Sequence, residues 1–165
     1  MPEPSDTAEL ERAWAGVADR LRAYFACRAR ADEADDLLQE CFLRAMRSWN
    51  GFAGRGRCEG WLWRIAVRTA ADAFRRRGPR PAALPDGFDP PAADGAGRDA
   101  STEAEAVWAA VERLDADHRE VMALRFAADL SYAAIADALG VPVGTVRSRL
   151  HRAIAAVRDR IEESR

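Results

Sequence analysis

A proline- and glycine-rich segment without any periodic apolar pattern divides this chain into two stretches. Residues 78–101 read GPRPAALPDGFDPPAADGAGRDAS, and their acidic residues outnumber the basic ones. This composition disfavours helix and strand alike and predicts a flexible, acidic linker. The chain is therefore expected to form two domains, 1–77 and 102–165, each with a modest core.

Both flanking stretches show the periodicity of amphipathic helices. In the first domain, apolar residues recur every three or four positions over 10–25, 37–49 and 61–73, which predicts three helical stripes. Gly78-Pro79 then provides a stop signal. No stretch alternates apolar and polar residues as a half-buried strand does, so the sequence predicts an all-α protein of two small helical domains.

The second domain contains the signature of a helix-turn-helix. Ser131 can cap a short helix, Gly140 supplies a turn, and Pro142 begins the next helix where its missing N–H costs nothing. Small residues around this bend let two helices approach closely. An upstream helix has Asp115 or Asp117 as its predicted N-cap.

The residue inventory argues against several classes of protein. Three cysteines and two histidines lack the spacing of a zinc site, and no nucleophile set, phosphate loop or HExxH motif is present. We therefore expect neither a metal, a cofactor nor an enzymatic activity. No apolar run is long enough to insert in a membrane, and the acidic N-terminus is unlike a secretory signal, which predicts a cytoplasmic protein.

The last helix is expected to carry a basic face. Residues 143–158 contain four Arg and no acid, within a chain whose 25 basic residues are all Arg. A helical wheel places Arg147, Ser148, His151 and Arg152 opposite the apolar side. Such a face suits a recognition helix in the DNA major groove, and a merely solvated basic face is the alternative.

A second basic segment, residues 55–80, holds eight Arg against two acids, with aromatic residues interleaved. Arg can neutralise phosphates while exposed aromatic rings stack on unpaired bases. The alternative is that Trp61 and Phe74 belong to the core. The spacing favours the core for Phe74 and the surface for Trp63, which lies off the main apolar stripe.

Three motifs in series resemble those of bacterial RNA polymerase sigma factors of the extracytoplasmic-function (ECF) group. They are DDLLQECFLRA, GWLWRIAVRTAADAFRRR and LDADHREVMALRFAADLSYAAIADALGVPVGTVRSRLHRA. The resemblance covers nearly the whole chain in the family's order. It implies a factor that binds core RNA polymerase and directs promoter-specific transcription initiation. It also implies an anti-sigma factor that releases the protein upon a stress signal.

The resemblance further implies three sets of site residues. Core polymerase would be bound through its clamp helices by Asp36, Gln39, Glu40, Phe42 and Met46. The melted strand of the −10 element would be bound by Phe52, Arg55, Trp61, Arg64, Arg68, Arg75 and Arg76. The −35 duplex would be read by Thr145, Arg147, Ser148, His151 and Arg152.

Two positions depart from the family pattern. Arg68 stands where the family usually has Asn, which affects the expected −10 preference, and Leu114-Asp115 replaces the usual Leu-Pro. A rival interpretation is a free-standing helix-turn-helix regulator whose first domain senses a ligand. A purely protein-binding protein is a third interpretation, but it leaves the basic helix unexplained.

Overall fold

The computed structural model describes residues 4–28, 31–52, 58–77 and 106–163. Within these ranges the chain forms helices joined by turns and contains no strand, so the all-α prediction is confirmed. The predicted linker 78–101 lies outside the described residues.

The described residues of the N-terminal domain form four α-helices and one 3₁₀ turn. α3 begins at Ala31, directly before the acidic stretch 32–36, whose charges suit a helix N-terminus, and α4 ends immediately before Gly78-Pro79. The elements are α1 (Pro4–Ala15), α2 (Ala18–Arg28), α3 (Ala31–Ser48), the turn Trp49–Gly51 and α4 (Cys58–Arg77).

The first predicted stripe, over 10–25, is not one continuous helix but two. The Gly16 N–H donates to the Arg12 carbonyl, and the Val17 N–H donates to the Trp14 carbonyl at 3.0 Å, which closes α1 before α2 begins. Leu10 and Leu21, on either side of the break, are both fully buried. The apolar spacing continues across the break, so periodicity alone did not reveal it.

The C-terminal domain contains the predicted helix-turn-helix. Its elements are α5 (106–112), α6 (Ala116–Met122), a π-helical turn (Ala123–Ala127), α7 (Tyr132–Leu139) and α8 (Val143–Glu163). Asp115 caps α6 by accepting from the His118 N–H, and Ser131 caps α7 by accepting from the Ala134 N–H, as predicted. Gly140 ends α7 with a φ of 67°, in the left-handed region that glycine adopts without strain.

The π-helical turn was not predicted by the sequence pattern. Its hydrogen bonds are wider than those of an α-helix: the Ala128 N–H donates to the Ala123 carbonyl, and the Leu130 N–H donates to the Leu124 carbonyl. Asp129 follows with a φ of 49°, unusual for a residue other than glycine. The turn thereby carries the chain from α6 to the start of α7.

The two domains share one buried cluster. α2 packs against the π-helical turn, and α4 packs against α7. Phe25 and Trp63 of the N-terminal domain belong to the same cluster as Leu124 and Ile135 of the C-terminal domain. A flexible linker would leave two small domains loosely placed relative to each other, but in the described structure the facing helices bury apolar surface between them.

Candidate nucleic-acid interface

The first half of α8 presents the predicted basic face. Arg147, Ser148, His151 and Arg152 are exposed, whereas Val146, Leu150, Ala153 and Val157 on the opposite side are buried. Thr145 is half-buried, and the Ser148 hydroxyl donates to its carbonyl at 3.0 Å. The structure therefore brings together all five residues assigned to the −35 duplex.

The intervening Arg149 has a different role. Its guanidinium lies 2.5 Å from the carboxylate of Asp117, so it ties α8 to α6 within the domain. At the helix start, the Pro142 carbonyl accepts from the N–H groups of Thr145 and Val146. Together with the left-handed turn at Gly140, these contacts position the first turns of α8 so that its apolar side packs on α7 and its polar side is open to a groove.

A cluster of three aromatic rings lies at the beginning of α4. Phe52 stacks on Trp49 at 5.2 Å between ring centroids, and Trp61 lies 5.0 Å from Phe52. Trp49 is buried, whereas Phe52 and Trp61 are half-buried. The predicted pair Phe52 and Trp61 is thus assembled into one partly accessible aromatic surface, the kind on which an unpaired base can stack.

The arginines of α4 are distributed along the helix. Arg68 is exposed, as are Arg75 and Arg76 near the C-terminal end. Arg64 is half-buried, and its guanidinium lies 3.6 Å from Asp137 of α7. Arg55 lies outside the described residues.

Two aromatic assignments made from spacing are wrong. Trp63 is only 1% exposed and packs edge-to-face on Tyr24, with the Arg20 guanidinium 5.7 Å from its ring centre. Phe74 is 43% exposed rather than part of the core. Trp63 is buried because α2 and α7 cover a side of α4 that a single-helix wheel treats as solvent. Phe74, beside Arg75 and Arg76, joins the candidate stacking residues.

The face of α3 predicted to contact the polymerase is partly accessible. Asp36 and Gln39 are exposed, whereas Glu40 and Met46 are half-buried. Phe42 is also half-buried, with its ring centre 4.8 Å from that of Trp14.

The residue assignment for this face omitted Leu43, which is 44% exposed. Leu43 lies four residues after Gln39, one helical turn further along the same side of α3. This four-residue spacing from Gln39 is the signal in the sequence that could have identified Leu43 as part of the face. An exposed leucine beside polar groups is consistent with a protein-docking surface.

An ion-pair network joins the α3 face to the end of α4. Arg44 contacts Glu40 at 2.5 Å and Asp72 at 2.6 Å, while Arg76 contacts Glu40 at 3.1 Å and Arg75 contacts Asp72. Hydrogen bonds from Arg44 and Arg75 hold the pKa of Asp72 below its usual value. Burial raises the pKa of Glu40, but hydrogen bonds from Arg76 and Arg44 outweigh it and lower the pKa overall.

The described residues contain no group of three or more His, Cys, Asp or Glu side chains placed to hold a metal ion. None of the described helices is both long and apolar enough to cross a membrane.

Comparison with known proteins identifies the families that the two domains match. Residues 11–80 match the family Sigma-70 region 2, and residues 104–157 match Sigma-70, region 4. The region 2 match covers the N-terminal domain. This is the domain in which the rival interpretation, a free-standing regulator, places a ligand sensor. The two matches follow the predicted order along the chain.

Two curated relatives illustrate the similarity. The chain is 37% identical to the ECF RNA polymerase sigma factor SigE of Mycolicibacterium smegmatis over 86% of its own length, but it spans only 57% of that relative. It is 32% identical to the ECF RNA polymerase sigma-E factor of Escherichia coli strain K12, covering 79% of this chain and 74% of the relative.

A solved structure shares the fold. The sigma factor RpoE from Bartonella quintana, in complex with the anti-sigma factor NepR, superposes with a TM-score of 0.72. The superposition covers 95% of this chain and 99% of that one at 24% identity. The likeness therefore includes both helical domains.

Proposed function

Because the chain belongs to the extracytoplasmic-function group of RNA polymerase sigma factors, we propose that it binds core RNA polymerase and directs it to specific promoters. In this role it acts in the cytoplasm and supplies recognition and strand capture rather than catalysis. The chain spans 57% of the length of its mycobacterial relative, so the proposal concerns the two regions that are present.

The observation that carries the proposal is the face of α8. Arg147, Ser148, His151 and Arg152 are exposed together at the start of the second helix of a helix-turn-helix. Arg side chains at this location can donate to base edges and phosphates of a −35 duplex in the major groove. The apolar residues on the opposite side are buried, so the polar set is free for a ligand.

The N-terminal domain supports a different kind of contact with DNA. Phe52, Trp61 and Phe74 offer accessible rings, and the exposed Arg68, Arg75 and Arg76 lie on the same helix as Trp61 and Phe74. Stacking and phosphate neutralisation together suit the single strand of a melted −10 element. Arg68 replaces the usual Asn of the family, and we expect it to add a phosphate contact and alter base preference there.

The direct test is promoter-specific transcription. Purified chain and core polymerase from the same organism are incubated with a genomic promoter library, and run-off transcripts are sequenced. We expect a small set of start sites that core polymerase alone does not use. A chain that binds duplex DNA tightly without polymerase, yet gives no new start sites, would favour a free-standing regulator instead.

Core docking can be tested separately on α3. Gln39→Ala and Glu40→Ala should weaken binding to core polymerase, because these polar groups lie beside the buried stripe rather than in it. Arg47→Ala, on an exposed position of the same helix, is the control for a general loss of α3. If the double variant loses its helical signal, the two residues are structural and the docking assignment is wrong.

We also propose regulation by an anti-sigma factor. The sigma factor from Bartonella quintana with the same fold was solved in complex with such a protein. Recovery of the native chain from its own cells, before and during stress, should yield an inhibitory partner before stress and core polymerase during it. Recovery of core polymerase alone under both conditions would contradict sequestration.

A further inference from the structure

Arg44 of α3 lies at the centre of the ion-pair network that joins α3 to the end of α4. Its Nη1 contacts Oδ2 of Asp72 at 2.6 Å, and its Nη2 contacts Oε1 of Glu40 at 2.5 Å. The other oxygen of each carboxylate holds an arginine assigned to the −10 strand. Oδ1 of Asp72 contacts Arg75, and Oε2 of Glu40 contacts Arg76 at 3.1 Å. Each carboxylate is therefore shared between Arg44 and one outer arginine.

The centre and the ends of this network differ in exposure. The Arg44 side chain is 30% exposed, whereas those of Arg75 and Arg76 are 74% and 61% exposed. The three arginines and Asp72 line one surface pocket. Both terminal nitrogens of Arg44 are engaged by carboxylates, so this residue acts on its neighbours, while the outer arginines face solvent.

Sharing the carboxylates limits how tightly each outer arginine is held. An arginine and a carboxylate pair most strongly through two parallel N–H···O bonds, one to each oxygen. Because Arg44 occupies one oxygen of each carboxylate, Arg75 and Arg76 are each held through a single nitrogen, Nη2. A guanidinium has five N–H donors, so both outer arginines retain donors for a phosphate.

Arg44 also sets the charge that a phosphate meets at this surface. Three guanidinium groups and two carboxylates leave the network with a net charge of +1. Hydrogen bonds from Arg44 and then Arg75 lower the pKa of Asp72, so its carboxylate stays ionised at neutral pH. Without Arg44 the network would be neutral, and each carboxylate could take both of its oxygens to an outer arginine.

We propose that Arg44 is a positioning residue for single-stranded DNA: by occupying two carboxylates, it leaves Arg75 and Arg76 free to bind backbone phosphates. Arg44 belongs to none of the three sets of site residues that the sequence implies, although it lies on the same helix as the core-docking face. The inference rests on the proposed function for the identity of the strand as the −10 element. The phosphate contacts themselves can be tested without polymerase.

The decisive variant is Arg44→Met in the full chain, which keeps an unbranched side chain and removes its charge and donors. The probe is a labelled pool of short single-stranded DNA of random sequence, and its affinity is measured over a range of salt concentrations. We expect the loss of one or two phosphate contacts. At about 0.1 M salt this lowers the affinity about 5-fold to 25-fold, and it reduces the slope of log affinity against log salt by about 0.7 to 1.4.

Arg22→Met is the matched control, because it changes the net charge equally and removes an exposed ion pair with Asp35 in the same domain. Its affinity and salt slope should stay close to those of wild type. The slope also separates positioning from folding, since a loss of folded chain lowers the affinity without changing the slope. If Arg44→Met does not fold, Arg44→Lys replaces it. A lysine keeps the charge but has one nitrogen for two carboxylates, so a smaller loss is expected.

Removing the carboxylates should reverse the effect. Asp72→Asn alone should bind the DNA pool at least as tightly as wild type, because it removes a negative charge beside Arg75. The triple variant Arg44→Met/Glu40→Gln/Asp72→Asn should regain the wild-type affinity, since no carboxylate is left to hold the outer arginines. In a chain that carries Arg75→Ala and Arg76→Ala, the further change Arg44→Met should have no effect, because interacting residues are not additive.

The outcomes separate this role from the proposed function. An unchanged affinity and slope in Arg44→Met would overturn the positioning role, as would a wild-type affinity that does not depend on Arg75 and Arg76. A loss that persists in the triple variant would also overturn it, because Arg44 would then contact DNA directly or support the fold. Failure of the wild-type chain to direct transcription, with these DNA affinities as expected, would contradict only the proposed function.

Discussion

Identical side chains on one helix acquire different roles through their direction alone. Arg147 and Arg152 on α8 point to solvent, whereas Arg149 between them pairs with Asp117. A one-residue step rotates a side chain by about 100° around the helix, enough to move it from a ligand-binding face to an intramolecular contact. Composition counts all of these arginines equally, so only their position identifies those available to DNA.

Arg152→Ala should therefore weaken promoter binding by about 1–3 kcal/mol, because it removes a donor to the −35 duplex. The measurement is the affinity of the polymerase–factor complex for a duplex promoter at fixed salt. Arg158→Ala, an exposed position further along α8, is the control and should have a smaller effect. Equal affinity of wild type and Arg152→Ala would remove this residue from the interface.

The cysteines should differ strongly in reactivity. Burial raises the pKa of Cys27 from 9.0 to about 11 and that of Cys41 from 9.0 to about 12. The thiolate is the reactive form, so at pH 8 these shifts slow alkylation about 100-fold and about 1000-fold. Burial also raises the pKa of Cys58, but this residue is half-buried whereas Cys41 is buried, and we expect Cys58 to be modified before Cys41. Mass spectrometry after timed alkylation measures the order, with denatured chain as control.

The same thiols make stability depend on alkaline pH. Their folded pKa values lie above the unfolded value, so the unfolded chain loses protons first as pH rises. The stabilising contribution is complete below about pH 9 and is lost as pH approaches about 11 for Cys27 and about 12 for Cys41. The melting temperature should therefore decline above pH 9, and Cys41→Ala should flatten this decline.

At the scale of elements, the helix-turn-helix depends on one left-handed residue. Gly140→Ala should destabilise the protein by about 1–2 kcal/mol, because its φ of 67° is unfavourable for alanine. No atom lies within 4 Å of the added Cβ, so the cost is conformational rather than steric. Thermal unfolding measures the change.

Gly144 provides the matched control for this prediction. It lies within α8, and its added Cβ also meets nothing within 4 Å. Gly144→Ala should stabilise the protein by about 0.5 kcal/mol, since alanine favours a helix. Equal effects of the two substitutions would show that the left-handed turn does not limit stability.

At the scale of the whole molecule, the shared cluster predicts cooperative unfolding. Because α2 and α4 pack on the C-terminal domain, heating should give one calorimetric transition whose calorimetric and van't Hoff enthalpies agree. Glu120→Gln should broaden or divide this transition, because it leaves Arg28 of α2 without its charged partner on α6, and each domain then unfolds more independently. Two separate transitions in wild type would contradict the continuous core.

Much of the local structure followed from the sequence by itself. The caps at Asp115 and Ser131 and the turn at Gly140 were predictable because capping and left-handed backbone depend on adjacent residues. The buried and exposed sides of α8 followed from its periodicity for the same reason. These features rest on interactions within a few residues, and they are the ones that carry the −35 assignment.

Features that depend on contacts between distant segments of the chain could be determined only from the tertiary structure. Trp63 is buried because α2 and α7 lie against α4, and no pattern within α4 encodes those neighbours. The break between α1 and α2 was hidden because apolar spacing continues across it. The buried contacts of Glu120 with Tyr24 and Arg28 join residues almost one hundred positions apart. Sequence determined the helices and their polar faces, whereas packing between the domains determined which faces stay accessible, because burial is a property of paired surfaces.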